Sequence, residues 1–315
     1  MTNLDEKVYI FGHKSPDTDT ICSAIALADF YNQAGYTNYT PARLGEPNNE
    51  TKFVLKHFGL NLPELITDGA GKNVILVDHN EKSQSIDNRE KANILEIIDH
   101  HRISDLETGK PLYMTVQPVG CTATMIMVKY LQNGIKPTAA VAGAMVSAII
   151  SDTLNFTSPT CTQEDITVAL LAGDLAGLGD REAIEAYGKK MLEEGASLDG
   201  FTNEEILAID RKPFSFGAVK AFVSQVFTTD PKALVAKKAE MQAEMDKHLQ
   251  ANEAQLSVLV VTGVSDSGST VIVSGSELAL AQRAFDMAGS DEKYLEGVLS
   301  RKSQIVPPLT EAATN

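Results

Sequence analysis

The segment VYIFGHKSPDTDT, Val8 to Thr20, runs from four apolar residues into a glycine and then sets His13, Asp17 and Asp19 within seven residues. Two more apolar runs finish in a similar way: NVILVDHN on Asp78 and His79, NILEIIDHH on Asp99, His100 and His101. A further acid, Asp152 in the SDT at 151–153, closes a small-residue apolar segment. Taken singly, each has a plain structural reading. An Asp after a strand is most often a helix cap or turn residue, His79 beside Asp78 reads as structural, and adjacent histidines need not point together. The set is different. Four carboxylates gathered at one sheet edge repel one another unless positive charge lies among them. A pair of divalent metals roughly 3.5–4 Å apart, bridged by a carboxylate and a water, meets that need and is a device for displacement at phosphorus. Carboxylates with imidazoles and no thiolate suit manganese, cobalt, iron or zinc, whereas magnesium seldom takes histidine. Manganese fits, and ligand type alone leaves the metal open.

The elements that must position these residues alternate. KVYIFG, NVILVDHN and NILEIIDHH are predicted strands, and DTICSAIALADFYNQAG, TKFVLKHFGL, CTATMIMVKYLQNG, TAAVAGAMVSAIISDT and TQEDITVALLAGDLAG are predicted helices. Gly12 allows a tight exit from the first strand and Pro16 stiffens the loop. Strands that are apolar throughout and alternate with helices predict a parallel sheet covered on both faces. In such a sheet ligands bind at the carboxyl ends of the strands, so the acid and histidine clusters meet at one edge.

Near YGKKMLEEGASLDG the composition turns charged and glycine-containing. We therefore expect a first domain over residues 1–188, a linker acting as a hinge at 189–196, and a second domain over 197–315. The second pattern, with GAVKAFVSQVF as a strand, a long helix opened by Pro231, a hairpin between LSVLVVTGV and STVIVSG, and the helix SELALAQRAFDM, predicts a smaller α+β domain with a mixed sheet. The fold class is thus α/β with an added α+β domain.

The 315 residues carry 27 basic and 42 acidic side chains, a formal net charge of −15. That balance argues against non-specific nucleic-acid binding or an anionic membrane surface, but it admits an anionic substrate where metals or a local basic cluster invert the field. The three cysteines, Cys22, Cys121 and Cys161, are far apart, which speaks against a disulfide framework or a thiolate zinc site. No signal peptide or transmembrane run is read, so a cytoplasmic protein is expected.

At these residues the sequence resembles a known group. GHKSPDTD, VDHN, DHH and SDT, in that order, are similar to the motifs of the DHH phosphoesterase superfamily. Its nucleic-acid-directed members carry a glycine-rich GGGH-type motif in the C-terminal domain, which this chain lacks. It has instead DRKPF, Asp210–Phe214, and LSRKSQIVPPL, Leu299–Leu309. Those resemble the second domain, of the DHHA2 type, of the family II, manganese-dependent inorganic pyrophosphatases. The resemblance implies that His13 and Asp17 bind one metal, that Asp19, His100 and Asp152 bind the other, and that Asp78 bridges them. It implies His101 as general acid or hydrogen-bond donor to phosphate, Asp99 as the residue that orients a neighbour, and Lys212, Arg301 and Lys302 as a clamp on the distal phosphate. It further implies two manganese ions with cobalt as a substitute, magnesium arriving with the substrate, hydrolysis of pyrophosphate by a metal-bridged hydroxide, and a homodimer through the first domain. Two metals and a basic clamp would supply the local compensation that a polyanion needs beside so acidic a chain. An exopolyphosphatase shares the second-domain type, a phosphodiesterase of short oligonucleotides or cyclic dinucleotides is the next alternative, and a non-catalytic binding module the last.

Overall fold

The computed structural model of the protein describes residues 6–198, 200–264 and 266–314. The chain forms two compact units that divide between Gly195 and Ala196. In the first, six strands form one all-parallel sheet: β1 (Val8–Phe11), β2 (Tyr39–Arg43), β3 (Glu64–Leu65), β4 (Asn73–Val77), β5 (Asn93–Asp99) and β6 (Tyr113–Val116), in the order β3-β2-β1-β4-β5-β6. The central strand β4 is buried at every residue, which is why it reads as an unbroken apolar run rather than an alternating one. The strands β2, β3 and β6 gave no signal because they are short, half-buried or exposed, and β2 contains Pro41.

The helices α1 (Thr18–Gln33), α2 (Asn49–His57), α3 (Thr122–Gln132), α4 (Ala139–Asp152), α5 (Gln163–Ala176) and α6 (Arg181–Gly195) supply the large core on one face of the sheet. In α4 every residue from Val141 to Ile150 is buried, as expected of a helix that is apolar all round. Its small residues permit close packing: a Cβ on Gly143 would lie 2.3 Å from the Phe58 ring. The other face is covered differently from the prediction. The cluster of Phe11, Ala42, Val74, Leu76, Ile86 and Ile97 is closed by loop residues such as Leu44, Ile66 and Leu106, and no α-helix among the described residues contributes to it. The connection from β4 to β5 is built of two 3₁₀ turns, Lys82–Gln84 and Arg89–Lys91, rather than a crossover helix.

The stretch 189–196, expected as a linker, is helical as far as Gly195. Its charges mark the outer side of α6, whose Ile184, Tyr187, Gly188 and Met191 are buried at helical spacing.

The second unit contains α7 (Asn203–Ala208), β7 (Arg211–Phe216), β8 (Val219–Thr228), α8 (Pro231–Ala236), α9 (Lys238–Ala251), β9 (Leu256–Gly263), β10 (Gly268–Ser274), α10 (Leu278–Ala284), β11 (Glu292–Glu296) and α11 (Val306–Thr314). Its sheet, β11-β10-β9-β8-β7, is mixed: β8 and β9 run parallel and the other pairs antiparallel. The predicted β9–β10 hairpin is present, and Pro231 opens its helix with Asp230 capping Ala233 N. The single long helix expected there is two, broken at Lys237. Among the described residues no helix is long and apolar enough to cross a membrane.

Candidate metal centre

The strand order reverses between β1 and β4, and the crevice outside their carboxyl ends is the place where such a sheet binds ligands. His13, Asp17 and Asp19 follow β1, Asp78 follows β4, and His100 and His101 follow β5. Asp152 arrives from elsewhere, as the last residue of α4, which packs on α1. Among the described residues three ligand-competent groups result: His13, Asp17 and Asp78; Asp19, Asp78, His100 and Asp152; and Asp78, His100 and His101. Within each, the potential donor atoms lie within 4.8 Å of one another, and Asp78 belongs to all three. All seven first-domain residues expected at the site are therefore brought together.

Local structure fixes each of them. Asp17 is both cap and site residue: its Oδ1 accepts from Thr20 N at 3.0 Å, and its Oδ2 lies 3.1 Å from His13 Nε2. Gly12 is needed for close approach, since a Cβ there would sit 2.4 Å from Thr20 Cγ2. Asp19, fully buried, accepts from Ser23 Oγ (2.6 Å) and from the first amides of α3, Thr122 N (2.7 Å) and Ala123 N (3.1 Å). Asp78 holds a left-handed backbone (φ 58°), a conformation that Asp tolerates better than most residues, and accepts from Thr20 Oγ1 at 2.8 Å. His100 Nδ1 donates to Val119 O (3.0 Å). That bond turns its Nε2 toward Asp78 Oδ1 and Asp152 Oδ2, each 3.4 Å away. A neutral imidazole nitrogen there would set acceptor against acceptor, so the arrangement calls for a proton or a cation among them.

Electrostatics points the same way. Burial first, and then Asp78, push the Asp19 carboxyl up to about 7. For Asp78 burial works upward, but the bond from His100 and the rings of His101 and His13 hold it below the usual carboxylate range. Asp99 is also held well below that range despite burial, by the His101 and Asn80 hydrogen bonds. Its Oδ1 accepts from both N (2.9 Å) and Nδ1 (2.9 Å) of His101, and its Oδ2 from Asn80 Nδ2 (2.6 Å). His101 is the most open of the three site imidazoles: its side chain is 31% exposed, against 3% for His13 and 6% for His100. A group oriented from behind and open in front suits contact with a substrate. Cys22 and Cys121 are buried and their thiols pushed up, so neither offers a thiolate.

His79 is a framework residue. Its Nδ1 bonds Val77 O (2.9 Å) and its Nε2 Ser85 Oγ (3.0 Å), and burial lowers it to about 4. Sequence reasoning missed the supporting residues Thr20, Asn80, Glu50 and Asp165. Glu50 accepts from Thr18 Oγ1 (2.6 Å) and Ser151 Oγ, neighbours of three site acids. Asp165 accepts from Gly120 N (2.8 Å) and Thr124 Oγ1 (2.6 Å), which fixes the loop that holds His100 and Asp19. The capping-box spacing of Thr162 and Asp165 was the one local signal available.

The remaining expected residues belong to the second unit. Arg301 and Lys302 begin a π-type turn, Arg301–Ile305, capped by Ser300. Arg301 Nη1 binds Asp210 twice, at Oδ2 (2.8 Å) and at the carbonyl oxygen (2.6 Å). The DRKPF and SRK motifs are thus joined within this unit. Lys212 shares its side of β7 with Phe214 and Phe216, which pack on the unit's core.

Residues 7–149 match the model of the DHH family, N-terminal domain, and residues 189–312 that of the DHHA2 domain. The chain is 45% identical over 309 residues, 97% of its own length and 98% of the relative's, to a probable manganese-dependent inorganic pyrophosphatase of Bacillus licheniformis. It is 44% identical over 310 residues to the manganese-dependent inorganic pyrophosphatase of Bacillus subtilis strain 168, covering 98% of this chain and 99% of that one. Among solved structures it is similar to a Methanococcus jannaschii protein assigned to the family II inorganic pyrophosphatases, with a TM-score of 0.87, 38% identity and coverage of 98% of this chain and 100% of the other.

Proposed function

The chain belongs to the family of the manganese-dependent inorganic pyrophosphatases, built of a DHH and a DHHA2 domain, and on that premise we propose that it hydrolyses inorganic pyrophosphate to two phosphates with manganese at the centre described above. The observation that carries this reading is the convergence of Asp78 and Asp152 on His100 Nε2 beside buried Asp19. That donor set is stable as a group only around positive charge.

In this reading His13 and Asp17 would hold one ion, Asp19, His100 and Asp152 would hold the second, and Asp78 would serve both. When bound, such a pair supplies a water acidified enough to attack phosphorus near neutral pH. The chain's own residues do the rest. The hydroxyls and α3 amides on Asp19 and Asp78 keep the carboxylates in place before substrate enters. His101, its Nδ1 held by Asp99, presents Nε2 to a phosphoryl oxygen as hydrogen-bond donor or general acid. Lys212, Arg301 and Lys302 hold the distal phosphate and balance the charge that develops on the leaving group. The site accepts cobalt in place of manganese, magnesium enters with the substrate, and the chain works in the cytoplasm as a homodimer through its first domain.

The test is phosphate release by chelator-stripped protein after separate addition of manganese, cobalt, zinc or magnesium, with tripolyphosphate and a dinucleotide alongside pyrophosphate. Release from pyrophosphate only, fastest with manganese or cobalt, is expected. Preference for tripolyphosphate or the dinucleotide would keep the centre and overturn the substrate.

A further inference from the structure

One buried polar feature of the second unit is left unused by the mechanism. On the side of its sheet that packs against α10 and α11, alternate residues form apolar columns: Ala221 and Val223 on β8, Val258 and Val260 on β9, Val273 and Val271 on β10. The next residue of each column on that side is polar: Gln225, Thr262 and Ser269. They are 5%, 1% and 0% exposed. Gln225 pairs in register with Val260, two residues short of Thr262, and Thr262 lies directly opposite Ser269. The three close into one hydrogen-bonded seam. Gln225 Nε2 donates to Thr262 Oγ1 (3.0 Å), Thr262 Oγ1 meets Ser269 Oγ (2.8 Å), and Ser269 Oγ donates to Val298 O (2.6 Å). Gln225 Nε2 also donates to Leu299 O (3.0 Å), and its Oε1 accepts from Arg301 N (3.1 Å).

Three polar side chains buried across three neighbouring strands carry a desolvation cost that apolar residues would avoid. Among the described residues every outward side-chain bond of this seam goes to the backbone of Val298, Leu299 or Arg301. The same turn is gripped once more by Gln304 Oε1, which accepts from Leu299 N (2.9 Å) and Ser300 N (3.0 Å). Gln225 N also donates to Asp210 O (3.2 Å), the oxygen that receives the Arg301 guanidinium. Backbone and side chain of Arg301 are therefore both registered against one residue of β8.

We infer that Gln225, with Thr262 and Ser269, is the positioning element of the anion clamp: it sets where Arg301 and Lys302 stand before substrate arrives. This rests on the reading of Arg301 as a pyrophosphate contact. A seam of this kind acts through the geometry of the cations, so its loss should appear in substrate affinity and leave the manganese centre alone.

The experiment compares Gln225→Met, Thr262→Val and Arg301→Ala in the full-length, manganese-loaded protein. It measures KM and kcat for magnesium pyrophosphate and, independently, manganese affinity by titration of the stripped protein. Gln225→Met keeps the volume and removes the bonds, while Thr262→Val suits a strand and removes only the middle hydroxyl. The expected result is a KM raised on the order of 10-fold in Gln225→Met and less in Thr262→Val, with manganese affinity as in wild type. A raised KM in Arg301→Ala with wild-type KM in both seam variants would overturn the seam and spare the clamp. An unchanged KM in Arg301→Ala would overturn the clamp reading itself. If Gln225→Met does not fold, Thr262→Val decides: wild-type KM there rejects the inference and a raised KM supports it.

Discussion

The two units solve opposite electrostatic problems. The first collects acids and imidazoles, and almost all of their support is donated to them: the α3 amides and Ser23 to Asp19, Thr20 to Asp17 and Asp78. These bonds fix the oxygens without cancelling their charge, so Asp19 stays pushed up to about 7 by burial and by Asp78. In the second the guanidinium of Arg301 is balanced internally, against Asp210. There the polar framework fixes the backbone of the turn. The difference teaches what each unit lacks. The first calls for positive charge among its carboxylates, while the second balances its arginine within its own fold.

The largest expected effect that would break this contrast comes from Asp78, shared by every ligand group. Asp78→Ala should lower kcat/KM by about 10³-fold or more and abolish stoichiometric manganese binding. Phosphate-release kinetics and metal analysis after gel filtration check it, and normal turnover with both ions retained would end the two-ion reading. Next, Arg301→Ala should cost about 10²-fold in kcat/KM while the bound manganese is unchanged. Loss of the metal in that variant would erase the division of labour between the units. A smaller effect is expected from Asp99→Asn, which keeps the shape but weakens the bonds to His101. A drop of about 10-fold in kcat with little change in metal affinity is the prediction, since residues that orient a site group are typically worth 10–100-fold.

The smallest is a pH effect confined to the first unit. With the Asp19 carboxyl raised from 3.8 to about 7, the folded metal-free protein keeps a proton that the unfolded chain has lost between those values. That contribution to stability is present at acid pH and is lost as pH rises toward 7, by at most about 1.4 kcal/mol per pH unit. Thermal unfolding of stripped protein from pH 5 to 7.5 should show the decline, and Asp19→Asn should flatten it. An identical slope in the variant would assign the proton to another group.

Much of the site was readable because its chemistry demands residue types that sequence states outright. Acids and histidines at the ends of apolar runs announced a centre at a sheet edge, since the strands of a buried parallel sheet are apolar throughout and their ends are not. The supports were not readable. Asp19 is held by amides 103 and 104 residues along the chain, and Arg301 finds Asp210 at a separation of 91. No local pattern encodes such pairs. The face of the first sheet without helices escaped for a related reason: loop residues such as Leu44, Ile66 and Leu106 carry no periodicity. In α6 the charges lie on the outer side, and the buried side is marked by the spacing of Ile184, Tyr187 and Met191 rather than by composition.

By itself the sequence determined the candidate donors, the alternation of apolar strands with helices around them and the net charge of −15 that obliges any anion site to carry its own compensation. Tertiary structure alone decided that His100 Nε2 faces two carboxylates at 3.4 Å, that α4 ends where Asp152 can join them, and that a glutamine on β8 registers the turn bearing Arg301. The physical reason is that residue identity fixes what a group can bind, whereas the few ångströms that separate repulsion from coordination are set by packing between segments far apart in the chain.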